Sequence, residues 1–156
     1  MKFLVGLLLC LLFQNSYAKE TLIEDCRHLE NATEADFVLF SKKEFIQLGE
    51  CLAVSFIKKR IELDLIESCN EVDEDKRNFL GVLSLSKLEA IKIGQCIGVI
   101  NFIYQHYDNE PVNSWGSYKY KTYHCLKGNR AVDRIIRSRA TLLNKQDIRK
   151  LLCEVY

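Results

Sequence analysis

Two stretches of this chain, "SKKEFIQLGECLAV" at 41–54 and "SKLEAIKIGQCIGV" at 86–99, lie over each other without a gap. They share Ser, Lys, Glu, Ile, Gly, Cys and Val at matching positions. A second match lies upstream, where "LIEDC" at 22–26 returns as "LIESC" at 65–69. Each copy therefore reads L-I-E-x-C, a variable linker, then G-x-C. A unit of about 43 residues written twice points to duplication of one supersecondary element that cannot bury its apolar face alone. The copies cover about 22–58 and 65–103; a third unit, 118–156, keeps the cysteine spacing without the surrounding sequence.

The long segment of each copy reads as a helix. Ser41 with Glu44, and Ser86 with Glu89, form S-x-x-E capping boxes at the same distance before their cysteines. Apolar residues follow at helical spacing: Phe45, Leu48, Leu52 and Phe56 in one, Leu88, Ile91, Ile97 and Phe102 in the other. Gly49 and Ala53 share one face, as do Gly94 and Gly98. A helical glycine costs about 1 kcal/mol, so these small faces predict two helices in close approach. In the third unit, Val132, Ile135, Ile136, Leu142 and Leu143 form a helical stripe, and Asn144 is placed to cap a last short helix. One proline in the whole chain and little strand-like alternation complete the expectation. The fold class is mainly α: a small disulfide-bridged helical domain with a duplicated helix unit. The long irregular stretch is 106–124, which holds Pro111 and Gly116.

Residues 1–18 read as a signal peptide. Lys2 is followed by the apolar run "FLVGLLLCLLF", and Ser16-Tyr17-Ala18 fits a cleavage site. The run is shorter than the roughly 20 residues that a membrane span needs. The mature chain is then a single domain, 19–156, exported and periplasmic if bacterial. Without Lys2 the basic count falls from 22 to 21 and equals the 21 acidic residues, which argues against nucleic acid as a partner. Membrane is not expected as a partner either. Asn31-Ala32-Thr33 is a glycosylation sequon.

Cys10 leaves with the leader, so six cysteines remain: Cys26, Cys51, Cys69, Cys96, Cys125 and Cys153. An even number in an exported chain reads as a disulfide framework, and no pair has the short spacing of a zinc knuckle. The six can pair in many ways. A bridge inside the unit survives duplication, so the repeat favours Cys26–Cys51, Cys69–Cys96 and Cys125–Cys153, each tying a short helix to the long helix beside it.

Catalytic patterns are sparse. His28, His106 and His124 form no metal-protease arrangement, and phosphate-loop, nucleophile-elbow and dinucleotide glycine motifs are absent. His124 beside Cys125 suggests base and nucleophile, but that chemistry needs a free thiolate. Glu71, Asp73, Glu74 and Asp75 in "NEVDEDKRN" lack the glycine of a calcium loop and read as a solvated acidic turn. No catalytic residue, metal or cofactor is expected. Arg130, Arg134 and Arg137 share a helical face, as either a docking stripe or an ordinary charged surface. The 106–124 stretch is the candidate partner-binding region. It gathers Tyr107, Trp115, Tyr118, Tyr120 and Tyr123 with Asp108, Asn109, Glu110 and Asn113. Such aromatics either anchor a partner or cap the core, and both readings stay open.

The order "LIESC", "GQCIGVINF", "YHCLKGNRAVDRII", "RKLLCEVY" over 65–156 resembles the Rap/Tai-type immunity proteins of bacterial type VI secretion. The proline usual after the third cysteine is missing, as is the Phe-Pro before the last, and Cys26 and Cys51 exceed the usual set. The resemblance implies a small periplasmic helical protein, with its third cysteine opening a helix. It further implies that the chain neutralises a secreted peptidoglycan amidase toxin by occluding the active-site cleft. A homodimer is the second partner expectation. The competing function is an exported carrier that holds a small apolar ligand between its two small-faced helices.

Overall fold

The computed structural model describes Cys26, Leu29 and residues 32–59, 63–77, 85–112, 121–138 and 144–156. The leader, His28, Asn31, Leu142 and Leu143 lie outside the described residues. Those described form six helices and one two-stranded antiparallel sheet, so the protein is mainly helical. In chain order these are α1 (Glu34–Leu39), α2 (Lys42–Lys59), α3 (Leu65–Arg77) and α4 (Lys87–Tyr107). They are followed by β1 (Tyr123–Cys125), α5 (Asn129–Arg137), α6 (Lys145–Leu152) and β2 (Cys153–Val155).

Both expected capping boxes form. The Ser41 backbone N–H donates to Glu44 Oε2 at 2.6 Å, and that of Ser86 donates to Glu89 Oε2 at 2.7 Å. Glu89 N–H returns a bond to Ser86 Oγ at 3.2 Å. Asn144 Oδ1 accepts from the amides of Gln146 and Asp147, which opens α6 as expected. A third box, Thr33 with Asp36, opens α1. Its acceptor is Asp rather than Glu, so an S-x-x-E pattern does not find it.

The small faces meet. A Cβ at Gly49 would strike the Ile91 carbonyl and come within 2.9 Å of Gly94 Cα. A Cβ at Gly94 would strike the Ile46 carbonyl and come within 2.9 Å of Gly49 Cα. Gly98 likewise abuts Glu50, its Cβ position 2.7 Å from that Cα. Residue numbers rise together along the contact, so α2 and α4 run parallel. Gly49 meets the Ile91 carbonyl where Gly94 meets the Ile46 carbonyl, so these two contacts mirror each other. At this crossing the backbones touch, leaving no ligand-sized space between the small faces.

α4 is the central helix and touches α2, α3, α5, α6 and β1. α3 lies antiparallel to it, held by the Cys69–Cys96 bridge, by Ser68 Oγ donating to Gln95, and by Lys92 bonding Glu67 and Glu71. Leu65, Cys96, Val99, Ile103, Ile135, Ile148 and Leu152 are almost wholly buried around this axis.

Three expectations are corrected here. The acidic stretch 70–77 is no turn: α3 stays helical to Arg77, because Val72 is buried and Arg77 pairs with Asp73 one turn back at 2.9 Å. Leu88 is not in the core but 62% exposed. It points roughly 120° away from Gly94 around the helix, off the face that meets α2. The interior face of α2 is Phe45, Gly49, Ala53, Val54 and Ile57, with Leu48, Leu52 and Phe56 only half buried.

Candidate functional site

The predicted partner region is more ordered at its base than its composition indicates. His106 and Tyr107 belong to the last turn of α4. His106 stacks on Phe102 with ring centroids 3.9 Å apart. After the helix, Asp108 and its neighbours turn the chain into one side of a paired stem. Asn109 adopts the left-handed conformation (φ 62°), and its N–H donates to the Tyr123 carbonyl. Tyr123 N–H donates to Glu110 O, Val112 N–H donates to Lys121 O, and Pro111 bridges Thr122. Residues 109–112 and 121–123 thus form two facing rails, and 113–120 connects them. The expected irregular stretch is corrected accordingly: its ends are helix and paired backbone.

The second rail is itself anchored. Tyr123, His124 and Cys125 pair with Val155, Glu154 and Cys153, and Thr122 exchanges two backbone hydrogen bonds with Tyr156. Cys125 N–H donates to Asp108 Oδ1 at 2.9 Å, and Cys153 N–H donates to Arg149 O. The Cys125–Cys153 pair is therefore a non-hydrogen-bonded rung, where side chains stand closest; the Cα atoms are 4.0 Å apart and the sulfurs are bonded. All three bridges match the repeat-based pairing. Two details differ. This third bridge joins strand to strand, not helix to helix, and Cys125 does not open a helix. Gly128, at φ 58°, intervenes before α5 begins.

Among the predicted site residues, Asp108, Asn109 and Glu110 sit together on the stem; Asn113, Trp115, Tyr118 and Tyr120 lie outside the described residues. Asp108 is a structural residue, since Oδ1 holds the Cys125 amide and Oδ2 accepts from Asn109 Nδ2 at 3.0 Å. Asn109 and Glu110 are exposed. Tyr107 and Tyr123 are half buried under Arg149, 5.2 and 5.4 Å from its guanidinium carbon.

Beside the stem, Tyr104, Asp108, His124, Lys127 and Arg130 line a shallow cleft of about 540 Å³. Lys127 Nζ sits 4.8 Å from the Tyr104 ring centre. His124 meets the Tyr156 ring edge-on. Tyr156 donates its hydroxyl hydrogen to Glu154 at 3.0 Å, which raises its pKa by holding the proton. The sulfur of Cys125 is in a disulfide, so the thiolate that base-and-nucleophile chemistry needs is not available beside His124. Of the arginine stripe, Arg134 pairs with Glu154 at 3.6 Å, while Arg130 and Arg137 face solvent.

β2 was not legible in advance. Its residues follow α6 directly, and their strand pairing comes from β1, a segment distant in sequence. Lys127 and Tyr104 carry no local signal either, because they meet across 23 positions of sequence.

Among the described residues, no group of His, Cys, Asp and Glu is placed to hold a metal ion, and no helix is long and apolar enough to cross a membrane. In comparison with known proteins, the chain matches no family model, no curated protein and no solved structure.

Proposed function

We propose that this chain is an exported, disulfide-braced binding protein that inhibits a secreted peptidoglycan amidase by occluding its cleft. The segment carried on the 109–112/121–123 stem is the inserting element. The observation that supports this reading is the bracing of the stem: the Asp108 carboxylate, the β1–β2 ladder and the Cys125–Cys153 bridge all hold one short length of backbone. A binding loop whose base is fixed beforehand loses less conformational entropy on association. Trp115, Tyr118 and Tyr120 supply anchors of the kind that dominate interface cores. The amidase as target rests on the resemblance of 65–156 to immunity proteins. The carrier reading is left without a cavity where it needed one, since the Gly49 and Gly94 backbones meet there.

The test is capture by the mature protein of peptidoglycan hydrolases secreted by its own organism, followed by an inhibition assay. A stoichiometric complex that blocks amidase activity is expected. Trp115→Ala with Tyr118→Ala should weaken it by about 2 kcal/mol or more while the helical circular dichroism signal stays intact. If no hydrolase is bound, the immunity reading fails. If the double variant inhibits as well as the parent, the loop is not the inhibitory element.

A further inference from the structure

A second concave site lies where the ends of α2 and α4 meet the start of α6. It is bounded by Ile57 and Lys58 at the end of α2, by Tyr107 at the end of α4, and by Asn144, Lys145, Gln146 and Arg149 of the first turns of α6. Its volume of about 640 Å³ falls within the range of small-molecule sites. We propose that this cleft binds a small organic polyanion, a di- or tricarboxylate or a phosphate ester, through Lys58, Lys145 and Arg149.

Charge is the first argument. Three cations from two elements converge here, and no aspartate or glutamate belongs to the described lining. Among the described residues, no salt bridge to Lys58, Lys145 or Arg149 forms, so the charge gathered in this cleft is not neutralised by a neighbouring carboxylate there. Asp147 follows Lys145 by two positions and is exposed. In a chain of net charge +1, this is a local excess that a bound anion would neutralise.

Preorganisation is the second argument. Lys145 Nζ stands 5.3 Å from the Phe102 ring centre and 5.6 Å from that of Tyr107. The Arg149 guanidinium lies 5.2 Å from Tyr107 and 5.4 Å from Tyr123. Contact with ring faces orients both cationic heads and strips part of their water, while the in-plane N–H donors of a guanidinium are not used by such a contact. Those donors remain for an oxyanion, which a guanidinium can take in bidentate fashion. The amides of Gln146 and Asp147 are already held by Asn144 Oδ1, so recognition here falls to side chains and not to the helix end.

The test is titration of the full mature chain with citrate and, separately, with inorganic pyrophosphate at low salt, by calorimetry and amide chemical shifts. The two probes distinguish carboxylate from phosphate ligands. Saturable binding of at least one is expected, with shifts centred on Lys58, Tyr107, Lys145 and Arg149, and weaker binding as salt rises. Lys145→Gln with Arg149→Gln should weaken it about tenfold or more. Lys58→Gln removes a charge that takes part in none of the cation–ring contacts described here, so it leaves those of Lys145 and Arg149 in place; a loss of about threefold is expected. No saturable response to either probe, shifts centred instead on Lys127 and Arg130, or unchanged affinity in Lys58→Gln and in the double variant would each overturn the proposal.

Discussion

The carboxyl of Glu89 lies below the ordinary carboxylate range because the Ser86 backbone N–H, and then the Ser86 hydroxyl, hydrogen-bond its charged form. A group depressed in the folded state stabilises above its unfolded pKa and loses that effect as pH falls through the folded value. Glu89→Ala should therefore lower the melting temperature at neutral pH, and the difference from the parent should shrink in acid. Ser86→Ala should cost about 1 kcal/mol in denaturant melts at neutral pH, since it removes the side-chain cap. Glu50 shows the opposite sign. Half buried against the α2–α4 contact, it has its carboxyl raised by desolvation, so its charge opposes folding at neutral pH. Glu50→Gln should raise the melting temperature at pH 7 and have progressively less effect as the parent carboxyl protonates. A gain that persisted undiminished in acid would exclude a charge origin.

Two glycines at element boundaries and crossings illustrate different constraints. At Gly94 the backbone conformation is ordinary, and the obstacle is the Ile46 carbonyl of the neighbouring helix. That atom is main chain and cannot rotate away, so even Gly94→Ala should destabilise by about 3 kcal/mol, at the upper end for overpacking. At Gly128 nothing lies within 4 Å of an added Cβ, and the obstacle is the backbone itself, at φ 58° and ψ −142°. Gly128→Ala should cost about 1–3 kcal/mol without disturbing α2 or α4. Chemical denaturation of the two variants, with amide shifts of the α2–α4 contact as the second readout, separates the causes. The stem offers a third case. Asp108→Ala leaves the Cys125 amide without its acceptor and should cost about 1–3 kcal/mol, with accelerated hydrogen exchange at Asn109 and Tyr123.

Across the whole molecule, the three bridges close loops of similar size, with separations of 25, 27 and 28 residues. Each should contribute about 3 kcal/mol by restricting the unfolded chain. Cys69 and Cys96 are also fully buried between α3 and α4, whereas Cys125 is half buried at the sheet. Replacing Cys69 and Cys96 together by Ala should therefore lower stability more than the same change at Cys125 and Cys153, since a core void adds to the lost constraint. Equal losses in thermal melts of the two double variants would show that loop closure alone governs the effect.

What the sequence by itself determined was local or copied. A capping box is complete within four residues, so Ser41–Glu44 and Ser86–Glu89 could be read directly; Thr33–Asp36 escaped because it departs from S-x-x-E at both ends. Bridge pairing followed from the repeat, and the Gly49 and Gly94 faces announced a close approach because a helical glycine needs a reason. Tertiary structure decided the rest. Leu88 has the spacing of a core residue, yet which face of α4 becomes interior depends on where α2 lies. β1 and β2 are three residues each and exist only as partners, so neither carries a pattern of its own. The stem needs the end of α4 beside the C-terminal strand, and the cationic cleft needs the ends of α2 and α4 to meet the start of α6. A helix is settled by neighbours four residues away; a ladder or a cleft is settled by segments that folding alone brings together.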